Sequence, residues 1–401
     1  MPAELPAAPD YQNRHLRHVL SSAAAALGLS GFENRLGLPQ ASITVVILAD
    51  GLGEENLASH TGHARFLASA WRTSSTARVL DCGAPATTAC SLASLGTGLP
   101  PGEHGLIGYD LYAPPLNRVV NQLGGWPDDL DPAVWQPHPT VLQQAVAAGA
   151  QVATVSRTEF RSSALTRAAL QHSGDFLGAG TLEARFAAAA EWIEAQRPRG
   201  SRQGPPVPLM VYLYVDEIDD AGHEFGVDSA QWRGHLEDLD AAAARFARRC
   251  SERFGEQVSI LLTADHGMVD VAEPDRIDIS DRADLLAGVA DTGGDPRMMY
   301  LYAEPGQDAA ELAQRWRSEF GDSAWVLTRA EAVEAGWFGP VQQQVLQRIG
   351  DVIIAVHAPI GIYHIARTGR HFLKMVGLHG SITEAERQVP MLELTGRAFA
   401  P

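Results

Sequence analysis

The chain has 401 residues, of which 45% are hydrophobic and 20% charged, and its formal net charge is −17 at pH 7. This length suits a large α/β domain with insertions, and the composition excludes a disordered or fibrous protein. Because so acidic a surface repels phosphate backbones, we expect no nucleic-acid partner. An anionic substrate would need a local positive centre such as bound cations.

The cysteines and the apolar segments bear on where the protein works. Cys82, Cys90 and Cys250 show no zinc-binding spacing, and their odd number favours a reducing cytoplasm over a disulfide framework. No apolar run reaches the ~20 residues that span a bilayer, so we expect no membrane partner. We interpret residues 23–29 as part of a surface helix rather than a signal peptide. The sequence carries no signal for an oligomeric state.

Continuous apolar and β-branched runs predict strands that are buried on both faces, at residues 43–48, 209–215 and 258–263. Helical spacing covers residues 229–250, and a helix followed by a strand is predicted at 140–148 and 151–155. Strands that alternate with helices imply a mostly parallel sheet. The predicted fold class is therefore α/β, a three-layer α/β/α sandwich with a mostly parallel central sheet.

Four segments are predicted along the chain. An N-terminal arm at residues 1–40 precedes an α/β core at 41–270, in which residues 106–140 form a loop insertion rich in Pro, Gly and Trp. Residues 271–370 carry strand and helix patterns of their own, which predicts an inserted cap subdomain. The chain then returns to the core over residues 371–401. Within the cap we predict strands at 298–302 and 352–356 and helices near 307–319 and 340–348.

Acidic and imidazole side chains follow the predicted core strands and recur in the returning segment. They are Asp50, Asp219, His223, Asp265, His266 and His379. The carboxyl ends of parallel strands meet at one edge of a sheet, where ligands bind. Carboxylate oxygen and imidazole nitrogen are ligands for zinc and similar cations. The set therefore predicts a metal centre, although any one of these residues alone is also typical of a helix cap or a loop.

Residues 83–98 (GAPATTACSLASLGTG) predict a helix that begins after a proline and stops at a glycine. A hydroxyl at its start would face unpaired N–H groups and the positive end of the helix dipole, which favour an alkoxide and an attached phosphoryl group. Thr87 and Thr88 are the candidates, and either could instead cap the helix. Two divalent cations would balance three carboxylates and a threonine alkoxide. They would also explain how the hydroxyl ionises without a neighbouring His or Lys base.

Together these segments resemble the alkaline phosphatase superfamily, and within it the nucleotide pyrophosphatase/phosphodiesterase branch. The matching motifs occur in the family's order over residues 41–392 and are Ala49-Asp50-Gly51, the segment 85–98, Thr97-Gly98-Leu99-Pro100, Glu103-His104-Gly105, Asp219-Asp220-Ala221-Gly222-His223, Asp265-His266-Gly267-Met268 and Leu378-His379-Gly380. The resemblance implies a dizinc hydrolase of phosphodiester or pyrophosphate bonds. Its substrate would be a small phosphoester, nucleotides included.

The resemblance also implies roles for the matching residues. Thr88 takes the position of the nucleophile, and a phospho-threonine intermediate follows from it. One cation would be held by Asp50, Thr88, Asp265 and His266, and the other by Asp219, His223 and His379. Zinc is the expected metal, with manganese or iron as alternatives. Asp216 is a rival for Asp219, but the four-residue step to His223 favours Asp219.

The nucleophile segment departs from the animal enzymes, which carry aromatic-Pro-Asn where this chain has Ala89-Cys90-Ser91. The asparagine that would hold a phosphoryl oxygen is absent, and Ser91 or backbone N–H groups are candidates to replace it in binding substrate. Residues 83–104 contain no Arg or Lys, which favours diesters or pyrophosphates over dianionic monoesters. Three aromatic residues of the loop insertion are candidates to stack on a base: Tyr109, Tyr112 and Trp126.

Several other functions are weighed against this one. A sulfatase would need Cys or Ser followed by x-Pro-x-Arg, which Cys90 lacks, and a cofactor-independent mutase would use a serine nucleophile. A phosphonate hydrolase or phosphomonoesterase of the same superfamily is the main alternative. A metal-binding relative without turnover is the second.

Overall fold

The strands of the protein form one large sheet and several small ones. A computed structural model describes residues 4–73, 78–171, 174–197 and 206–395. In chain order the strands are β1 (Ile43–Ala49), β2 (Arg78–Asp81), β3 (Asp110–Ala113), β4 (Arg118–Asn121), β5 (Gln151–Ser156), β6 (Asp175–Gly178), β7 (Leu209–Val215), β8 (Val258–Thr263), β9 (Val269–Asp270), β10 (Arg276–Asp278), β11 (Val289–Asp295), β12 (Met298–Ala303), β13 (Ala324–Thr328), β14 (Val352–Val356), β15 (Gly361–Tyr363), β16 (Gly377–Leu378) and β17 (Gln388–Glu393).

Helices connect most of these strands. Those of six or more residues are His18–Ala26, Glu54–Ser59, Arg65–Thr73, Thr88–Thr97, Val141–Ala147, Leu182–Gln196, Glu217–Phe225, Ala230–Phe254, Ala309–Phe320 and Arg329–Glu334. Single-turn helices are Pro101–His104, Pro132–Trp135, Ala283–Leu286, Gln343–Leu346, Ile365–Thr368 and Glu384–Arg387. The helix predicted near 340–348 is therefore reduced to one turn.

The large sheet has seven strands in the order β2-β17-β8-β1-β7-β5-β6. Neighbouring strands are parallel except that β17 runs antiparallel to both β8 and β2. The α/β prediction with a mostly parallel central sheet is thus confirmed. The antiparallel strand β17 was not predicted, because it contains Pro390, which cannot donate to a ladder and argues against an inner strand.

The three predicted core strands are buried at every residue. This burial requires cover on both faces of the sheet, as expected for continuous apolar runs in a parallel sheet. Part of the cover comes from Leu182–Gln196, which packs on β5 and β7, and from His18–Ala26, which packs on β1.

The N-terminal helix differs from its prediction as a surface helix. Seven of the nine residues of His18–Ala26 are buried, and the helix packs against β1 and Thr88–Thr97. Its alanines lack bulk and lower the hydrophobicity that a sequence reading detects, yet small side chains allow close approach to the sheet.

A second, antiparallel sheet has the order β11-β12-β14-β13. The helix Ala309–Phe320 packs on it and closes a separate core that includes Leu301, Trp316 and Ile354. A hairpin of β3 and β4 lies beside β11. The division of the chain into arm, core and cap at residues 40, 270 and 370 stays a prediction.

The free cysteines Cys82, Cys90 and Cys250 are all buried. Among the helices of the described ranges, none combines the length and apolarity that crossing a bilayer demands.

Candidate active site

The central strands β1, β7 and β8 are adjacent and parallel, so their carboxyl ends open on the same edge of the sheet. Asp50 follows β1 directly, and Asp265 and His266 follow β8 after one residue. The helix Glu217–Phe225 begins just after β7 and carries Asp219 and His223 one turn apart.

Two further side chains reach this edge from elsewhere in the chain. The short strand β16 pairs with β9, just beyond His266, and this pairing brings His379 against His266 with the rings stacked at 3.6 Å between centroids. Thr88 is the first residue of its helix, and its Oγ1 lies 3.2 Å from His266 Nε2. All seven residues predicted for the metal centre therefore meet at one place.

The ligand atoms fall into two groups, each able to surround a cation. Asp219, His223 and His379 form one, and Asp50, Asp219 and His266 form the other, with ligand atoms within 4.8 Å of one another. Asp265 borders the second group through its Oδ2, 3.6 Å from His266 Nε2. Asp219 belongs to both groups, which places the two candidate cation positions side by side.

Backbone carbonyls orient the three histidines. Nδ1 of His223 lies 2.8 Å from the Gly377 carbonyl, and Nδ1 of His379 lies 3.0 Å from that of Ala86. Nδ1 of His266 lies 3.1 Å from the Gly267 carbonyl. Since a carbonyl can only accept, each Nδ1 carries the proton and each Nε2 is free to bind a metal.

The carboxylates of this cluster are buried beyond what hydrogen bonds satisfy. Asp50 Oδ1, Asp219 Oδ1 and Asp265 Oδ2 have no hydrogen-bond partner in the described part of the chain. Burial and then the charge of Asp50 raise the pKa of Asp265 well above its usual range. Asp50 Oδ1 and Asp265 Oδ2 share one imidazole, that of His266, at 3.2 and 3.6 Å. Three carboxylates buried in this way are costly without a cation, so the donor set fits divalent metal ions.

The histidines respond to the same charges. Burial alone would lower the pKa of His266, but Asp265 and Asp50 outweigh it and raise that pKa to about 10. Burial, followed by the charge of His266, lowers the pKa of His379 well below its usual range. In the metal-free protein a proton on His266 thus takes over part of the charge balance that a cation would supply.

Asp216, the rival of Asp219, is engaged by arginines. Its Oδ2 lies 2.6 Å from Nε of Arg157 and its Oδ1 lies 3.5 Å from Nη2 of Arg185. Asp219 instead faces His223 at 3.3 Å. The geometry therefore favours Asp219 over Asp216 as the member of the cluster.

The glycines of the motifs allow the loops to approach each other. A Cβ on Gly51, which has φ +72°, would lie 2.9 Å from Asp219 Oδ1, and one on Gly53 would lie 2.5 Å from the Cα of Gly267. Asn56 links the same loops by two 3.0 Å hydrogen bonds to the backbone of Met268. Side chains at these glycines would push the candidate ligands apart.

The other predicted substrate contacts have mixed positions. Ser91 is fully buried beside the thiol of Cys82, so its role in binding substrate stays a prediction. Tyr112 donates to Asn117 and packs on Tyr302, and Trp126 packs on Trp135; both are packing residues of the loop insertion. Tyr109 lines a pocket together with Asp295, whose carboxylate accepts a hydrogen bond from Thr87 in the nucleophile segment.

Sequence reasoning missed two residues that touch this site. Tyr214, within β7, donates its hydroxyl to Asp50 Oδ2. Asp295, at the end of β11, accepts from the hydroxyl of Thr87. Tyr214 lies in an apolar strand and Asp295 in a glycine-rich one, so neither stands out in the sequence. For Tyr214 the one available signal was the alternation of side chains along β7, which places it on the same face of the sheet as Leu48, its partner in β1.

We expect the Tyr214→Phe variant to bind zinc about 10–100-fold more weakly while remaining folded, because Asp50 loses the hydrogen bond that orients it. Competition with a chelator measures the affinity. Tyr212→Phe is a matched control, since Tyr212 is buried two residues earlier on the same strand and its hydroxyl has no described partner. Equal zinc affinity in the two variants would contradict a positioning role for Tyr214.

A mostly parallel sheet with this cluster of carboxylates, histidines and a helix-start threonine at its carboxyl edge is the arrangement that the resemblance to the alkaline phosphatase superfamily predicts. The type I phosphodiesterase / nucleotide pyrophosphatase family matches residues 44–381. The chain belongs to that family.

Individual relatives are distant. Venom phosphodiesterase of Macrovipera lebetinus is 27% identical over 192 residues, which are 47% of this chain and 21% of that protein. The match thus spans about a fifth of the relative's length. Human ectonucleotide pyrophosphatase / phosphodiesterase 5 superposes with a TM-score of 0.63 at 16% identity, over 87% of each chain. Phosphonoacetate hydrolase of Sinorhizobium meliloti 1021 superposes with a TM-score of 0.66 at 21% identity, over 90% of this chain and 92% of its own.

Proposed function

We propose that the protein hydrolyses phosphodiester or pyrophosphate bonds of small molecules, nucleotides included, through a phospho-threonine on Thr88 at a site for two divalent cations. The observation that carries the proposal is the position of Thr88. Its hydroxyl lies at a helix start, 3.2 Å from His266 Nε2. That nitrogen faces the carboxylates of Asp50 and Asp265, each with a buried oxygen that makes no hydrogen bond in the described structure.

Seven side chains would hold the cations. Asp50, Thr88, Asp265 and His266 would hold one, and Asp219, His223 and His379 the other. Imidazole and carboxylate ligands in this ratio suit zinc, with manganese or iron as alternatives. When bound, such cations neutralise charge on the phosphoryl oxygens and make hydroxyl and water protons easier to remove.

The residues of the chain supply the nucleophile and its placement. Thr88 releases its hydroxyl proton to water as Oγ1 bonds to phosphorus. The bond from phosphorus to the leaving oxygen breaks, and the leaving oxygen keeps the electron pair and takes up a proton from water where its pKa requires one. The first-turn N–H groups of Thr88–Thr97 and its dipole stabilise the negative charge near Oγ1. Water then attacks phosphorus, the bond to Oγ1 breaks, and Thr88 regains a proton.

The charge around Thr88 supports a monoanionic reacting group. Residues 83–104 contain no Arg or Lys. The arginines that contact the residues after β7 are held in ion pairs, Arg157 with Asp216 and Asp220 and Arg185 with Glu217. A dianionic monoester would lack the extra cation it requires. A solved structure of an inactive mouse ectonucleotide pyrophosphatase / phosphodiesterase 5 holds AMP, which supports a nucleotide among the substrates of this chain.

Metal analysis of the purified protein, coupled to a substrate panel, tests the proposal. We expect two equivalents of a divalent metal and faster hydrolysis of bis(4-nitrophenyl) phosphate and of a dinucleoside polyphosphate than of 4-nitrophenyl phosphate or phosphonoacetate. Fastest release of phosphate from phosphonoacetate would favour the phosphonate hydrolase instead. Bound metal with no hydrolysis of any ester would favour a metal-binding relative without turnover.

We also propose a cytoplasmic protein. The support is that the cysteines Cys82, Cys90 and Cys250 are free thiols in the described structure, as a reducing compartment allows.

A further inference from the structure

Asp295 is a buried acid that lies between two segments of the candidate active site, the one that carries Thr88 and the one that carries His379. It is 6% exposed, and its Oδ1 accepts from Thr87 Oγ1 at 3.3 Å, one residue before the nucleophile. Its Oδ2 accepts from the Tyr109 N–H at 3.4 Å. A Cβ on Gly380, next to His379, would lie 2.7 Å from the Asp295 Cβ. Asp295 therefore lies against the chain neighbours of both Thr88 and His379.

The same side chain borders a pocket of about 30 Å³ between the β3–β4 hairpin, the end of β11 and residues 361–372. The pocket has aromatic walls, because the rings of Tyr109 and Phe372 meet edge to face with centroids 6.0 Å apart. That space holds about two or three water-sized groups, which suits an ester group of a few heavy atoms.

The charges that face the pocket leave one carboxylate unbalanced. Asp110 pairs with Arg367 Nη1 at 2.8 Å, and Nε of Arg367 donates to Thr292. His364 is uncharged near neutral pH, since burial and then Arg367 lower its pKa. Asp295 makes no ion pair within the described ranges, and its contacts are the two neutral donors above. Burial and then Asp110 raise the pKa of Asp295 to about 7, so above that pH a single unpaired negative charge faces the pocket.

We propose that this pocket receives the ester group that remains bonded to phosphorus when the leaving group of a phosphodiester departs. Asp295 then selects a small neutral or positively charged ester group over an anionic one. The inference rests on the proposed phosphodiester hydrolysis at Thr88. A buried carboxylate repels a like charge and attracts an ammonium, and the aromatic walls favour an ammonium further.

Three 4-nitrophenyl phosphodiesters with the same leaving group test the selection. Their second ester groups are 2-aminoethyl, propyl and carboxymethyl, which have similar size and carry positive, zero and negative charge. At about pH 8.5, above the pKa of about 7 that burial gives Asp295 and below that of a primary amine, we expect kcat/KM to fall in that order. The expected difference between aminoethyl and carboxymethyl esters is roughly 100-fold.

The Asp295→Asn variant isolates the source of the selection. We expect it to reduce the aminoethyl-to-carboxymethyl ratio at least about tenfold while the propyl ester changes least. Glu304→Gln is the matched control, since Glu304 is exposed after β12 and its loss changes net charge equally. The control should keep the wild-type ratio, and circular dichroism checks that the Asn variant is folded.

The outcomes separate the inference from the function on which it rests. Hydrolysis of all three esters at equal kcat/KM by the wild-type protein overturns the charge selection, whatever the variant does. If the aminoethyl-to-carboxymethyl ratio of kcat/KM falls equally in Asp295→Asn and Glu304→Gln, the assignment of the charge selection to this pocket is overturned. No hydrolysis of any of the three esters overturns the proposed function and the inference together.

Discussion

The Thr88→Ala variant is expected to lose hydrolysis of bis(4-nitrophenyl) phosphate almost completely, with kcat reduced about 10³-fold or more. The change removes the oxygen that would attack phosphorus and one candidate ligand of a cation. It leaves the fold intact, because Thr88 begins its helix and its side chain contacts the site rather than the core. Release of 4-nitrophenol measures the effect, and thermal unfolding checks the fold.

Two neighbouring variants make the test specific to Thr88. Thr88→Ser keeps a hydroxyl and should recover a measurable part of the activity. Thr87→Ala removes the adjacent hydroxyl, which donates to Asp295, and should retain at least about 100-fold more activity than Thr88→Ala. An acid-quenched reaction of the wild-type protein should carry phosphate on the peptide that contains Thr88. Phosphate on another peptide, or near-normal turnover of Thr88→Ala, would reject this nucleophile.

The sequence was sufficient to predict the central strands and which candidate metal ligands would lie together at their carboxyl edge. The strands β1, β7 and β8 are read directly because a strand covered on both faces must be continuously apolar. The cluster follows because parallel neighbours deliver whatever comes after them to one edge. Asp50, Asp219 and Asp265 each have an ordinary local interpretation, so only their shared position after buried strands made the prediction.

Features that depend on pairing between segments far apart in the sequence could not be predicted in this way. The antiparallel strand β17 lies between β2 and β8 although Pro390 weakens its strand pattern. His379 was a candidate ligand because it follows Gly377-Leu378 and precedes Gly380, but it reaches the cluster through a strand of only two residues, β16, which is too short for a periodic pattern. Asp295 comes from the second sheet, and no local pattern relates that sheet to Thr87. Such contacts are set by packing between separate segments, which single-sequence propensity does not describe.

Asp265→Asn is expected to have opposite effects on the metal-free and metal-loaded protein. Asp265 Oδ1 accepts from the N–H groups of Gly51 and His266 at 3.2 and 3.1 Å, and an asparagine carbonyl can keep both. Its Oδ2 makes no hydrogen bond within the described ranges and lies 3.6 Å from His266 Nε2. An asparagine stays neutral there without taking up a proton, so the variant should make the metal-free protein about 1–3 kcal/mol more stable at neutral pH, and Asp50 remains 3.2 Å from His266.

The pH dependence of this gain follows from the direction of the pKa shift. Because burial and Asp50 raise the pKa of Asp265 in the folded protein, the folded state holds a proton that the unfolded state releases above about pH 4. The stability of the wild-type metal-free protein therefore falls as pH rises from that value, and the asparagine variant lacks this fall. Below about pH 4 the two proteins should approach each other.

Metal reverses the order of stability. Zinc at a thousand times its Kd should stabilise the wild-type protein by about 4 kcal/mol. The variant has lost an anionic ligand, so it should bind zinc more weakly and gain less stability. We expect it to hydrolyse diesters at least about 10²-fold more slowly. Urea unfolding of both proteins, with chelator and with zinc, measures all four stabilities. A wild-type protein that is the more stable of the two in chelator would show that the acidic cluster folds without strain. It would then need no cation, and the metal centre would lose its physical basis.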